Sequence, residues 1–442
     1  MAKKLSTAEL IEKLNDPGII LVDVRPMAAY NGWQLKGEIR GGHIPGAVAF
    51  PLQWTSSLKL DELENLLESK GVTPDKTVVI YGYEAANTAA IVNLLDKMGC
   101  PNTFIYEAGL EKWAADERRP MVRLPNFEKL VYPEWLHKKL SETHSAEEHS
   151  AETPDKSLAV FHVDYGGYED YKRGHITGAM YLDVSQLESA SSGNLLSNED
   201  LETALLSLGI RHSTRVVLYG QDTEVGPGKI RPGVLAAARA AVILMYAGVK
   251  DVRILDGGLD AWIASGYEAE TKAHEPVPAD SFGAVIPGNP EYIIDIEKAK
   301  ELLADPNGTL VSMRSWLEFT GQRSGYDYIG PIGRIAGAVW GNSGSDANHM
   351  EHYRNPDNSM RSHPEIEDNW RAAGITPDKH IGFYCGTGWR ASEAFFDAYL
   401  MGWEQTAVYD GGWFEWSQDK SNPIERGEPV SGDRGSGGGD RV

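Results

Sequence analysis

His380-Ile381-Gly382-Phe383-Tyr384-Cys385-Gly386-Thr387-Gly388-Trp389-Arg390-Ala391-Ser392-Glu393 changes period in its middle. Ile381 to Tyr384 is a short apolar run of β type, too short for a helix and closed by a Gly-rich turn. From Ala391 through Phe395, Phe396, Tyr399 and Leu400 to Met401, the apolar spacing predicts a buried helix. A strand, a turn and a helix in that order put Cys385 at a helix N-terminus, facing a concave run of backbone N–H groups. Such a setting stabilises an anion. Thiols placed this way ionise readily and act as nucleophiles at neutral pH. The alternative is a small buried hydrophobe at a strand end. The flanking Gly-x-Gly and Arg390 would have no use in that role.

Moving outward, the same strand–turn–helix grammar occurs three times. The first copy has the strand Gly18 to Arg25, the turn Gly42-His43-Ile44-Pro45-Gly46-Ala47, the strand Thr77 to Gly82 and the helix Ala85 to Met98. The second has Leu158 to Asp164, Gly174-His175-Ile176-Thr177-Gly178-Ala179, Arg215 to Gly220 and the helix Ala236 to Tyr246. It closes on Asp256-Gly257-Gly258-Leu259-Asp260-Ala261-Trp262. The third has Leu310 to Arg314, Gly333-Arg334-Ile335-Ala336-Gly337-Ala338, the cysteine loop, and Asp410-Gly411-Gly412-Trp413. A repeat this long means tandem domains, not a solenoid. The expected fold is α/β: three tandem domains, each a mostly parallel sheet with helices on both faces. Linker composition sets the boundaries at 1–125, 126–275 and 276–430, with a disordered Gly-rich tail over 431–442. Ser141 to Lys156, polar and acidic, is expected to be a flexible insertion in the second copy.

The 442 residues carry a formal charge of -22. That balance argues against nucleic acid or an acidic membrane as a partner. No apolar run is long enough to span a bilayer. Ser6-Thr7-Ala8-Glu9 reads as a capping box opening a helix, so the basic N-terminus is not followed by a signal segment. The chain is expected to be cytoplasmic as it stands, or periplasmic if an export signal has been removed. Its two cysteines, Cys100 and Cys385, fit no metal or disulfide spacing. Cys100 reads as structural, the alternative being a resolving thiol. His349-Met350-Glu351-His352 has no zinc-site spacing, and Val225-Gly226-Pro227-Gly228-Lys229 lacks the phosphate-loop pattern. No metal is expected.

Asp23-Val24-Arg25, the two Gly-His-Ile-x-Gly-Ala turns, the two Asp-Gly-Gly signatures and Cys385-x-x-Gly388-x-Arg390 resemble the rhodanese sulfurtransferase superfamily, in particular its three-domain thiosulfate sulfurtransferases. The resemblance covers nearly the whole chain. It implies that Cys385 is the catalytic nucleophile of a double displacement, taking sulfane sulfur from thiosulfate or a similar donor as a persulfide. The sulfur then passes to a thiophilic acceptor. The implied substrate-binding residues are Gly386, Thr387, Gly388, Trp389, Arg390 and Arg314. No cofactor is implied. The partners are a small-molecule donor and acceptor, with a protein persulfide donor or acceptor as a further possibility. Gly386 and Gly388 are expected to supply the backbone freedom of the curl. Arg390 is expected to support the loop more than to touch substrate, Trp389 to line the rim or pack on the helix, and Arg314 to bind an anion or form a buried ion pair.

Gly82 and Gly220 stand where the third copy has Cys385, so the first two copies are expected to be catalytically silent. Related phosphatases have a loop one residue longer, which disfavours phosphate chemistry. Gly386-Thr387-Gly388 is similar to the mercaptopyruvate-using branch, whereas Trp389-Arg390 departs from it. A 3-mercaptopyruvate sulfurtransferase and a persulfide carrier therefore stand as alternatives.

Overall fold

The computed structural model describes residues 3–429, apart from 15, 84, 150–157 and 228. The tail expected over 431–442 lies outside the described residues. So does the second half of the 141–156 insertion. Its first half is not a loop but the end of a helix, Pro133–His149. Proline at the first helical position suits the turn. Lys138 and Lys139 both reach Glu142 one turn on, a pairing that supports an exposed helix.

The chain forms two compact units, Met1–Glu128 and Lys129–Val442. In the first, Lys3–Leu5, Thr103–Tyr106, Thr77–Tyr81, Ile19–Asp23 and Ala47–Ala49 lie side by side in that order as a parallel sheet. The second unit contains two sheets of the same topology. One runs Leu130–Val131, Asp251–Leu255, Arg215–Tyr219, Leu158–Asp164, Met180–Asp183. The other runs Ile293–Ile294, Thr406–Tyr409, His380–Tyr384, Gly308–Ser312, Val339–Trp340. The central strands are buried on both faces, which explains their unbroken apolar runs. The first strand of each sheet is only two or three residues long, too short to show a period.

Two side-chain locks recur in every copy. The tyrosine ending the central strand accepts a hydrogen bond from the isoleucine N–H of the repeated turn: Tyr81 from Ile44 at 3.2 Å, Tyr219 from Ile176 at 2.9 Å, Tyr384 from Ile335 at 3.3 Å. A buried tryptophan indole donates to a main-chain carbonyl beyond its own helix: Trp113 to Pro120, Trp262 to Glu268, Trp416 to Pro423. These locks fix Gly82, Gly220 and Cys385 as equivalent positions, each directly after its tyrosine. At Gly220 a Cβ would lie 1.9 Å from the Gly233 carbonyl oxygen, so this position has no room for a side chain. At Gly82 it would meet a Val24 methyl at 2.8 Å.

Within the second unit, the helix Gly233–Ala247 packs on Trp389–Leu400, the helix that follows the cysteine loop. The Gly/Pro-rich stretch after Gly220 forms an antiparallel hairpin, Asp222–Gly226 with Lys229–Pro232. Arg354 ties it down, bonding Asp222 at 3.1 Å and Glu393 of the third copy at 2.7 and 2.5 Å.

Asp256, the acid of the second copy's Asp-Gly-Gly, is buried and accepts the Met360 N–H at 2.7 Å. Burial pushes its carboxyl up to about 7, and Asp357 adds to the shift. The folded state thus holds this proton more tightly than the unfolded chain, and stability falls as pH rises from about 4 to 7. Asp256→Asn keeps the acceptor and removes the charge. It is expected to raise unfolding stability at pH 8 by roughly 1–3 kcal/mol and to flatten that pH dependence in urea titrations.

Candidate active site

The strand His380–Tyr384 delivers Cys385 to the middle of its sheet, at the carboxyl end where open α/β sheets form their crevices. Cys385 is buried at the floor of a cavity of about 500 Å³. The helix begins at Trp389, and the N–H groups of a first helical turn have no partners within their helix. The loop is bolted at its base. Trp413 N–H donates to the Cys385 carbonyl at 2.8 Å and Phe414 N–H to the Gly386 carbonyl at 3.0 Å.

The two loop glycines serve different ends. Only Gly388 has positive φ, at 90°, in the left-handed region that favours glycine. Gly386 is needed for space instead: a Cβ there would lie 2.4 Å from Cζ of Tyr326. That close approach lets the Gly386 N–H donate to the Tyr326 hydroxyl at 3.1 Å. Arg390 Nη2 donates to the same oxygen at 2.5 Å. With both lone pairs taken, the Tyr326 proton is left to point elsewhere, and Tyr326 lines the cavity beside Cys385. Burial pushes the Tyr326 phenol up, so it stays protonated.

Arg390, expected to support the loop more than to touch substrate, is bonded to the loop's surroundings and also lines the cavity. It grips Glu318 with both terminal nitrogens, at 3.0 and 2.9 Å, and donates to the Asp346 carbonyl at 2.9 Å. Arg314, expected either to bind an anion or to pair internally, does the second. It is fully buried, pairs with Glu318 at 3.3 Å and donates to the Gly333 and Ser324 carbonyls at 2.7 and 2.9 Å. It does not line the cavity. The first copy explains its partner. There Arg25 bonds Asp23 and the Gly42 carbonyl. In the third copy Ser312 replaces that aspartate, and the acid has moved to Glu318, which reaches both arginines. Burial alone would raise the Glu318 carboxyl, but Arg390 and Arg314 hold it down at about 2.

The walls come from two copies. The third copy supplies Tyr326, Tyr328, Thr387, Trp389 and Phe414, and the second supplies Tyr165, Glu188 and the Ser189–Gly193 segment. Trp389 both lines the cavity and donates its indole N–H to Glu188 at 3.1 and 3.2 Å. Its ring meets Tyr165 edge-on at 5.5 Å between centroids. Beneath the loop, the buried guanidinium of Arg239 joins Glu188 at 2.6 Å to Asp410 at 2.5 Å. Asp410 in turn accepts the Leu195 N–H at 2.7 Å. Glu188 and Arg390 are the charged residues among those lining the cavity, and each is engaged. The second copy therefore lacks a nucleophile but shapes the site. No local period marks Tyr165, Glu188 or Arg239, whose roles depend on packing between copies. By contrast, Ser315-x-x-Glu318 is a capping box with Glu318 four residues after Arg314, and that much was open to reading.

The rhodanese-like domain model matches residues 6–116, 145–265 and 295–419. The chain is 40% identical to thiosulfate sulfurtransferase YnjE of Escherichia coli over 428 residues, covering 97% of this chain and 93% of that protein. It is equally similar, at 40% identity and a TM-score of 0.91, to an anaerobic ergothioneine biosynthesis enzyme from Chlorobium limicola in complex with trimethyl histidine, covering 97% of this chain and all of that one. A variant of EanB bearing a cysteine persulfide, in a tetrahedral intermediate state with ergothioneine, matches with the same identity, coverage and TM-score. No helix among the described residues is long and apolar enough to cross a membrane. Three copies of one parallel sheet, a cysteine loop on the third, and matches over almost the whole length lead to one assignment: the chain belongs to the rhodanese family of sulfurtransferases.

Proposed function

We propose that the chain moves sulfane sulfur through a persulfide on Cys385 to an organic acceptor seated in the aromatic cavity, of the trimethyl histidine kind. The cavity carries this reading. At about 500 Å³ it is far roomier than cyanide or thiosulfate requires. Its walls include Tyr165, Tyr326, Tyr328, Trp389 and Phe414. Aromatic faces are the chemistry that receives a quaternary ammonium group, and Glu188 adds a carboxylate to the same wall, where Arg239 already pairs with it.

Thiosulfate is the donor we favour, on the likeness to YnjE. The Cys385 thiolate attacks its outer sulfur, a new S–S bond forms, and sulfite leaves with the electron pair of the old one. The outer sulfur of the persulfide is placed within the curl of the loop, where the backbone N–H groups of Thr387 to Arg390 meet its charge. Tyr326 holds a proton toward the same space. The acceptor's imidazole carbon then attacks the outer sulfur, the electron pair of the S–S bond leaves on Cys385 as thiolate, and the proton of that carbon passes to solvent. The sulfane sulfur is itself the oxidant, so no further one is needed.

Intact-mass measurement after exposure to thiosulfate is expected to show one added sulfur, mapped to Cys385. Subsequent trimethyl histidine should remove it and yield ergothioneine. Absence of added sulfur on Cys385 would remove the thiosulfate assignment. Discharge by cyanide or small thiols, but never by trimethyl histidine, would remove the acceptor assignment and leave a thiosulfate:cyanide sulfurtransferase.

A further inference from the structure

The second and third copies each contain a small antiparallel contact outside the main sheet. In the third, Arg334–Ile335 pairs with Ile424–Glu425; in the second, His175–Ile176 pairs with Ala269–Glu270, in the same register. Arg334 reaches Glu425 at 3.0 Å, and Glu425 also accepts the Gly337 N–H at 3.2 Å. Glu270 likewise accepts the Gly178 N–H. The carboxylate is retained, but the guanidinium opposite it has been replaced by the imidazole of His175, 3.9 Å away. A second imidazole, His274, lies four residues on with Nε2 2.8 Å from Glu270.

His175 is fully buried, and both its ring nitrogens face main-chain carbonyls: Nδ1 at 2.7 Å from Tyr171 and Nε2 at 3.0 Å from Lys272. A neutral imidazole has one N–H and can satisfy only one of them. With the proton on Nδ1, the Nε2 lone pair and the Lys272 carbonyl converge on a point that calls for positive charge. In the third copy a guanidinium supplies it. Here the ligand atoms of His175, Glu270 and His274 all lie within 4.8 Å of one another. Two imidazoles and a carboxylate, with one imidazole oriented by a carbonyl on its far nitrogen, form a set suited to zinc and similar divalent metals.

We propose that the second copy binds a divalent transition metal of the zinc class through His175, Glu270 and His274. Such an ion would fasten the 269–274 segment, where the chain leaves the second copy, against the turn at His175. It would do there what Arg334 and Glu425 do in the third copy without a metal.

The test is zinc chloride titrated calorimetrically into the chelator-treated full-length protein, repeated with His274→Ala and, because a thiolate can also take zinc, with Cys385→Ser. His274 is partly exposed, so its replacement is expected to leave the fold intact. One equivalent should bind with equal affinity in wild type and Cys385→Ser, weaken roughly tenfold or more in His274→Ala, and raise the melting temperature. Cobalt loading should give the visible band of a nitrogen–oxygen site without thiolate absorption. No binding, binding unchanged in His274→Ala, or binding lost in Cys385→Ser would each overturn the proposal. So would a His175 ring found by NMR to carry protons on both nitrogens in the presence of zinc.

Discussion

Replacing Cys385 by serine is expected to leave the fold almost untouched and to end sulfur transfer. The side chain is buried and serine nearly matches its shape, so unfolding stability should stay within about 1 kcal/mol of wild type. Activity should fall by at least about 1,000-fold, because the covalent intermediate itself is lost. No sulfur should be found on the protein after thiosulfate. The equivalent positions offer no substitute: Gly220 is crowded by the Gly233 carbonyl, and Gly82 bears no side chain. Residual transfer above the level of uncatalysed exchange would mean that the sulfur passes by another route. Steady-state assay beside intact-mass measurement distinguishes a dead protein from a slow one.

The second large effect belongs to Glu318. It is fully buried, and it is the shared counter-charge of Arg314 and Arg390. Glu318→Gln preserves the outline of the side chain and strands two guanidinium groups in the interior. Loss of one partner from a buried pair costs about 3–5 kcal/mol, to be read as a shift of the urea midpoint. Activity should fall as well, because Arg390 anchors both the Tyr326 hydroxyl and the Asp346 carbonyl around the loop. The pH dependence carries a sign. A carboxyl held down at about 2 in the fold contributes stability above its unfolded value, and that contribution fades as pH drops from about 5 to 2. Glu318→Gln should lack this acid limb. If its stability followed the wild-type curve through that range, the shared counter-charge would not be what holds the loop.

Much of this was written in the chain. Three central strands show as apolar runs because each is covered on both faces, and burial of that kind leaves an unmistakable local trace. The loop from Cys385 to Arg390 shows because glycines at fixed spacing have few other uses, although their reasons proved distinct: backbone angle at Gly388, clearance for Tyr326 at Gly386. What stayed hidden is non-local. Tyr165, Glu188 and Arg239 sit on elements with ordinary periodicity, and their relevance arises only when one copy packs on the next. Arg314 was ambiguous for a related reason: the displaced acid at Glu318 decides between anion binding and a buried pair. The hairpin Asp222–Pro232 leaves no strand period in the sequence because its strands are short and interrupted by glycine and proline.

The two-copy construction of the cavity has an evolutionary corollary. In the proposed reaction bond making is confined to one loop, held by Glu318 through Arg390, by Tyr326 and by the bolts from Trp413 and Phe414. Part of the cavity wall, Tyr165, Glu188 and the Ser189–Gly193 segment, belongs to a copy that has Gly220 at the cysteine position. A lineage could retune what it sulfurates by drift in that neighbour alone, leaving the reaction centre as inherited. Under the proposed function, the copy with Gly220 in place of a cysteine serves as an exchangeable template for substrate selection.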